Sequence, residues 1–232
     1  MILPMVATSV AAGAGFMAWA VRGRAASVLA PSVWRGPQNR KAIALTFDDG
    51  PSESTPHFLE LLAKHDARAT FFQIGRNVER LPTVARQVLD AGCEIGNHSH
   101  THPRFDFTSP SFQLAELQQA QQVIVDRCGF TPRWFRAPYG VRWFGMAEAQ
   151  RQCGLTGVMW TSIALDWKLS AAAIATRMEG AADNGAIFCF HDGRALQPNP
   201  DVSATMAALR TLLPQLRAQG FALVTVSELL AG

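Results

Sequence analysis

Two clusters of side chains in this sequence have the types and spacing for chemistry. The first, Thr46-Phe-Asp-Asp-Gly-Pro-Ser52, sets adjacent carboxylates, Asp48 and Asp49, at the end of an apolar run. Neighbouring carboxylates after a strand point in different directions and can take different jobs. Gly50-Pro51 then turns the chain, as a loop at a site requires. Alone, the motif also fits a solvated turn in which Asp49 caps the next segment. The second cluster, Asn97-His-Ser-His-Thr-His-Pro103, holds three of the six histidines. In a helix His98 and His102 would converge; in an extended segment His98, His100 and His102 would share a face. Neutral imidazole is a common ligand for zinc and other transition metals. One carboxylate with two histidines leaves positions open for water and substrate. An exposed polar loop, or a histidine cluster that senses pH, is the alternative. Three histidines in five residues beside an Asp-Asp pair favour the metal.

Three further features extend the set. Phe135-Arg-Ala-Pro-Tyr-Gly140 contains Tyr139, the only tyrosine. Arg136 could pair with a carboxylate and hold it in its charged form, or form an ordinary structural salt bridge. Asp166-Trp167 comes next, and Ile187-Phe-Cys-Phe-His-Asp192 ends an apolar run on His191. A histidine there is a satisfied core residue or, beside a metal and a carboxylate, a general acid.

The elements that must position these residues are legible as alternating runs. Strands are predicted at Ala42–Phe47, Ala69–Ile74, Glu94–Asn97, Trp134–Arg136, Gly157–Thr161, Ala186–His191 and Phe221–Thr225, several nearly continuous in apolar residues, as strands covered on both faces are. Helices are predicted at Thr55–His65, Pro82–Ala91, Ser109–Cys128, Gly145–Cys153, Ser170–Ala182 and Ser203–Gln219, with Pro82 and Pro110 in first turns and Gly92, Gly129, Gly154 and Gly220 as stops. This alternation argues for parallel βα units, in a barrel or a doubly wound sheet. In such folds the active site collects at the C-terminal ends of the strands. Asp48, Asp49, the histidine cluster, Arg136, Asp166 and His191 all stand at or just beyond predicted strand ends.

Taken in order, TFDDGPS, His98-Ser-x-x-His102, RAPYG, Asp166-Trp167 and the strand-end His191 resemble the motifs of the polysaccharide deacetylases with a NodB-homology domain, carbohydrate esterase family 4. The resemblance covers Lys41 to the C-terminus. It implies an α/β fold, a distorted (β/α) barrel of about seven parallel strands, and a divalent metal, commonly zinc, with cobalt, nickel or manganese as alternatives. It implies that Asp48 is the catalytic base, that Asp49, His98 and His102 are metal ligands, and that Arg136 orients the base. Asp166 resembles the partner of the acid histidine, His191. Tyr139 matches a position whose backbone N–H helps hold the oxyanion. Pro138 and Trp167 match site-lining positions. Cys189 stands where the family often has a leucine lining the acyl pocket. His100, between the ligand positions, is not expected to bind metal. Ile163 to Leu165 are less polar than is common in the family, which suits a shorter or lipid-linked glycan.

The 232 residues carry a formal charge of +3, with the surplus in the N-terminal segment: Arg22, Arg24, Arg35, Arg40 and Lys41 precede Ala42 with no acidic residue among them. A nucleic-acid binder carries its surplus on the folded body, so no nucleic-acid partner is expected. Composition excludes disordered, collagen-like and coiled-coil chains. Met1 to Val21 contains no charged side chain, and roughly 20 residues suffice to cross a bilayer. The chain is therefore read as a membrane anchor or signal-like segment over 1–21, a basic linker over 22–40 and a deacetylase domain over 41–232. Membrane association is expected. Arg22 and Arg24 hint at the cytoplasmic face, and the family resemblance hints at the cell envelope. The four cysteines form no C-x-x-C pair and read as buried thiols.

These readings converge on a metal-dependent hydrolase that removes N-acetyl groups from an amino sugar in a cell-envelope glycan or glycolipid. The alternatives are deformylation or amide hydrolysis on a lipid-linked amino sugar or other small amide, and a non-catalytic carbohydrate-binding protein. A two-carboxylate glycosidase needs side chains on opposite faces of a sugar, which adjacent Asp48 and Asp49 do not suggest.

Overall fold

A computed structural model describes residues 13–231. A helical stretch over 13–22 (α1) precedes β1 (Ser32–Val33), β2 (Ala42–Gly50), α2 (Thr55–Lys64), β3 (Thr70–Gln73), α3 (Gly75–Arg80), α4 (Pro82–Asp90) and β4 (Glu94–Asn97). Next come α5 (Pro110–Cys128), β5 (Trp134–Phe135), a 3-10 turn at Pro138–Gly140, α6 (Met146–Gln152), β6 (Thr156–Val158) and β7 (Ser162–Ile163). The chain ends with α7 (Ala171–Glu179), β8 (Ala186–His191), α8 (Ser203–Ala218), β9 (Ala222–Val224) and α9 (Val226–Leu230).

The strands form one parallel sheet in the order β1-β6-β5-β4-β3-β2-β8-β7, with β9 beside β2. The end strands β1 and β7 do not pair, so the α/β barrel is open, a half-barrel. Every predicted strand is present within a few residues. The additions, β1 and β7, are each two residues long, too short to show a period. The short helices α3 and α9 were also not predicted.

The central strand shows how the core sets up the site. All nine residues of β2 are buried, because helices cover one face and the barrel interior the other. Ile43, Leu45 and Phe47 join Phe58, Leu62, Leu209 and Leu212 under the helices. Ala42 and Ala44 pack instead with Phe72, Val158, Ile187 and Leu229. Side chains alternate along a strand, so Thr46 and Asp48 continue the interior row of Ala42 and Ala44. On β8, Cys189 and His191 continue the interior row of Ile187, and the register sets Thr46 beside Cys189 and Asp48 beside His191.

The membrane reading of the N-terminus is corrected. Residues 1–12 of the expected anchor lie outside the described residues, and among the described ones no helix is long and apolar enough to cross a membrane. The described part docks on the domain. Ala20 is buried, Val21 packs against the cluster around Phe135 and Met146, and the Val21 carbonyl accepts the Arg142 backbone N–H at 3.0 Å. Arg142, itself 2% exposed, donates from Nη1 to Ala26 O and from Nη2 to Gly23 O, both at 2.6 Å. Ser32–Val33, in the stretch read as a linker, joins the sheet against β6.

Candidate active site

A cleft of about 550 Å³ at the C-terminal ends of the strands is lined by Asp48, Asp49, His98, His102, Tyr139, Trp160, Ile163, Trp167 and His191, among others. In a regular strand Asp48 and Asp49 would face opposite sides of the sheet. They do not, because the pairing of β2 with β3 shifts register between Asp48 and Gly50. Asp49 adopts φ 73°, a left-handed conformation that aspartate tolerates better than most residues. This bulge re-aims the second carboxylate into the cleft. Gly193 packs on the bend so closely that a Cβ there would lie 2.3 Å from Asp49 O.

Asp48 is held from below. Arg136 is fully buried, and its Nη1 donates to Asp48 Oδ1 and to Thr46 Oγ1, each at 2.7 Å. Its remaining nitrogens donate to Val158 O and Met159 O, and the guanidinium lies 4.2 Å above the Phe72 ring. A buried ion pair persists only where its leftover hydrogen bonds are met; here they are. Cys189, fully buried, donates its thiol to Asp48 Oδ2 at 3.4 Å.

Asp49 faces the histidines. Its Oδ1 lies 3.4 Å from His98 Nε2 and 3.0 Å from His102 Nε2. Burial opposes ionisation of this carboxyl. The His102 and His98 imidazoles beside it and the charge of His191 outweigh it and hold the group well below the usual carboxylate range. Asp49 Oδ2 accepts the Ala195 N–H at 2.9 Å, while Oδ1 is a buried oxygen with no hydrogen-bond partner. His98 Nδ1 meets Arg136 O at 2.7 Å, which assigns the proton to Nδ1 and leaves Nε2 a lone pair toward Asp49. One oxygen and two imidazole nitrogens, all within 4.8 Å of one another, are a donor set suited to a divalent transition metal. The orphaned Oδ1 is the observation that favours this fit.

The histidine segment is neither helical nor extended. Ser99 and His102 have φ of 63° and 60°. The loop is shaped by Glu116 of α5, whose carboxylate accepts from the His100 N–H, the Thr101 N–H and the Thr101 hydroxyl. His102 N–H donates to Ser99 Oγ. His100 is not part of the Asp49 group; its Nδ1 lies against α3, 2.5 Å from where a Cβ on Gly75 would be.

His191 is gripped by Asp166. Burial disfavours its charged form, but the hydrogen bond and charge of Asp166, with the Asp49 and Asp48 charges, raise its pKa to about 9. Asp166 is buried too, which opposes its ionisation. The His191 hydrogen bond and charge, Thr205 Oγ1 at 2.9 Å and the Arg194 charge lower its pKa overall. Trp167 packs edge-on against the His191 ring at 5.3 Å. Tyr139 has φ 59° and is 56% exposed, with its ring 4.8 Å from that of His102. Among the described residues its backbone N–H has no acceptor.

Seven of the eleven expected site residues line the cleft, and Arg136, Asp166 and Cys189 contact them from behind. Pro138 is buried and does not line it. Sequence reasoning missed Glu116, which shapes the histidine loop, and Asn77, whose Nδ2 donates to Asp49 O and Ala195 O. Glu116 had a signal: it sits on the buried stripe of α5 with Gln113, Leu117, Ala120 and Ile124. Arg22, Arg104, Trp160 and Arg194, also on the cleft, were missed as well.

Comparison with known proteins agrees with the motifs. A family model described as polysaccharide deacetylase matches residues 35–158. A chitooligosaccharide deacetylase of Azorhizobium caulinodans is 38% identical over 80% of this chain and 93% of its own. The peptidoglycan-N-acetylglucosamine deacetylase PgdA of Listeria monocytogenes is 36% identical over 88% of this chain. The chain spans only 41% of that relative's length. A solved peptidoglycan N-acetylglucosamine deacetylase superposes with TM-score 0.81 at 28% identity, covering 86% of this chain and 92% of the other.

Proposed function

This chain belongs to the polysaccharide deacetylase family, and from that premise we propose that it hydrolyses the N-acetyl amide of an amino sugar in a peptidoglycan- or chitooligosaccharide-type glycan. One observation carries the reading. The bulge in β2 sends Asp49 to two imidazoles and Asp48 to a buried arginine, in a cleft that also holds an Asp-paired histidine.

In this reading Asp49, His98 and His102 hold a divalent metal, zinc being one ion that one oxygen and two nitrogens with open positions suit, with cobalt, nickel and manganese as alternatives. When bound, the ion supplies Lewis-acid polarisation of the amide carbonyl and acidifies water. Asp48, kept in place by Arg136, takes a proton from the attacking water. The Tyr139 N–H, free of other acceptors, donates to the oxygen on which negative charge develops. His191, charged through its contact with Asp166, passes its proton to the departing nitrogen. An amine leaves poorly without that proton. Acetate and a free amino sugar result, and Asp48 and His191 return to their starting charges through solvent. Trp160, Trp167 and Tyr139 wall the cleft where sugar faces would lie.

The test is incubation of the purified protein with N-acetylglucosamine oligosaccharides and mass spectrometry of the products. Loss of acetyl groups with chain length unchanged supports the reading, and shortening of the chain would replace it with glycosidase chemistry.

A further inference from the structure

Besides its catalytic groups, the cleft is lined by three guanidinium side chains: Arg22, Arg104 and Arg194. They come from three separate parts of the chain: the end of α1, the loop beyond the histidines and the loop after β8. The charges beneath them are largely balanced, Asp48 by Arg136 and Asp166 by His191, and Asp49 is assigned to the metal. Arg104 shares its charge with Asp106 through Nε at 3.1 Å and Nη2 at 2.6 Å. Arg22 and Arg194 form no ion pair among the described residues. Arg194 is nevertheless fixed, because it donates to two backbone carbonyls, Gly193 O and Asp166 O, each at 2.9 Å. A neutral sugar offers these guanidiniums only hydroxyl and amide oxygens, whereas an anionic group would add charge-assisted bonds to them.

The placement of Arg22 is a built feature. The family match begins at residue 35, so Arg22 belongs to a stretch ahead of it. That stretch is held down by Arg142, a buried cation spent on the carbonyls of Val21, Gly23 and Ala26 through its backbone and side-chain nitrogens. Burying a guanidinium is costly unless its donors are met, and here two of its side-chain nitrogens are met by the segment that carries Arg22. A surface arginine on a loose tail would need no such clamp.

We propose that Arg22, Arg104 and Arg194, which line the cleft, bind anionic groups carried by the glycan, carboxylates or phosphates, so that the cleft prefers acidic amino-sugar chains to neutral ones. The proposal rests on the deacetylase reading and names the substrate class of that same cleft. Guanidinium suits either anion, since its paired donors match both geometries.

The test compares three substrates: a neutral N-acetylglucosamine oligosaccharide, one of equal length with a carboxylate on alternate sugars, and N-acetylglucosamine bearing a phosphate. For each, kcat/KM is measured at low and at high salt, with wild type, Arg22→Gln, Arg194→Gln and Arg22→Lys, each checked for folding by circular dichroism. Binding to the Asp48→Asn protein, with and without Arg22→Gln, is measured in parallel by calorimetry. The expected result is a preference for one anionic substrate of about tenfold at low salt, shrinking about threefold or more in Arg22→Gln and on adding salt, and partly kept in Arg22→Lys. Which anionic substrate is preferred identifies the group. A wild-type preference near one, or a preference unchanged in folded Arg22→Gln and Arg194→Gln, overturns the proposal. If no substrate loses acetyl groups, the deacetylase reading fails and calorimetry decides the rest. Arg22-dependent binding of an acidic glycan sustains the anion rim, and equal binding of neutral and acidic glycans ends it.

Discussion

Asp166 holds His191 at two points. Its Oδ1 lies 2.8 Å from the imidazole Nδ1, and its Oδ2 accepts the His191 backbone N–H at 2.9 Å. The double contact fixes the ring and leaves Nε2 as its free nitrogen. With a pKa raised to about 9, His191 carries a proton through neutral pH. The pairing therefore adds stability in full below the unfolded value near 6.5, and that stability is lost as pH rises through about 9. The Asp48 and Asp49 charges contribute to the raised value, and a cation on Asp49 would offset them. The alkaline limb of kcat/KM is accordingly expected at or below about 9. Asp166→Asn removes the charge that keeps the proton on His191, so the limb should move to lower pH as the rate falls. A limb that stays put with full metal content would assign it to another group.

The ligand set makes a separate prediction about metal content. Asp49→Ala, His98→Ala or His102→Ala should weaken zinc binding by at least about a hundredfold, beyond what loss of a supporting hydrogen bond costs. His100→Ala should leave occupancy intact, because His100 faces α3 rather than Asp49. Elemental analysis of the purified variants checks this, and equal loss in all four would discard the assignment.

For Tyr139 the role assigned is that of a backbone donor. Tyr139→Phe keeps the N–H, the ring against His102 and the same backbone, so most activity should remain. A fall beyond about a hundredfold, the scale expected on removing an oxyanion donor, would place the phenol in the reaction instead.

Asp192 is a carboxyl whose pKa burial raises to about 7, with the Thr55 hydrogen bond opposing and the Asp49 and Asp48 charges adding. Its folded pKa lies above the unfolded one, so ionisation costs stability as pH rises between about 4 and 7. Asp192→Asn cannot ionise. In metal-free protein the difference in Tm between variant and parent should shift in favour of the variant as pH rises from about 4 to about 7 and level off above that. A difference independent of pH would mean that Asp192 ionises without penalty.

Much of the site was legible because strand ends are legible. Long apolar runs announced β2 and β8, and the polar residues that close them, Asp48, Asp49 and His191, reach the cleft. The bulge at Asp49 was not legible, since alternation assumes an unbroken ladder. Neither local rule for His98 to His102 described the loop, because a carboxylate sixteen residues from His100 in sequence, that of Glu116, shapes it. The N-terminal stretch misled for a related reason. An uncharged run of Ala and Gly suits a bilayer and also suits close packing, and in the described part Ala20 and Val21 pack on the domain while Arg22 reaches the cleft.

The division of labour between two consecutive aspartates is the central claim, and Asp48→Asn tests it most directly. Released acetate and zinc content are measured together on an N-acetylglucosamine oligosaccharide, beside the parent protein. The account predicts that acetate release is abolished while zinc stays at the parent level, because the proposed base is tied to Arg136 at 2.7 Å and is not among the ligands. Acetate release near the parent rate, or zinc lost together with activity, would contradict it.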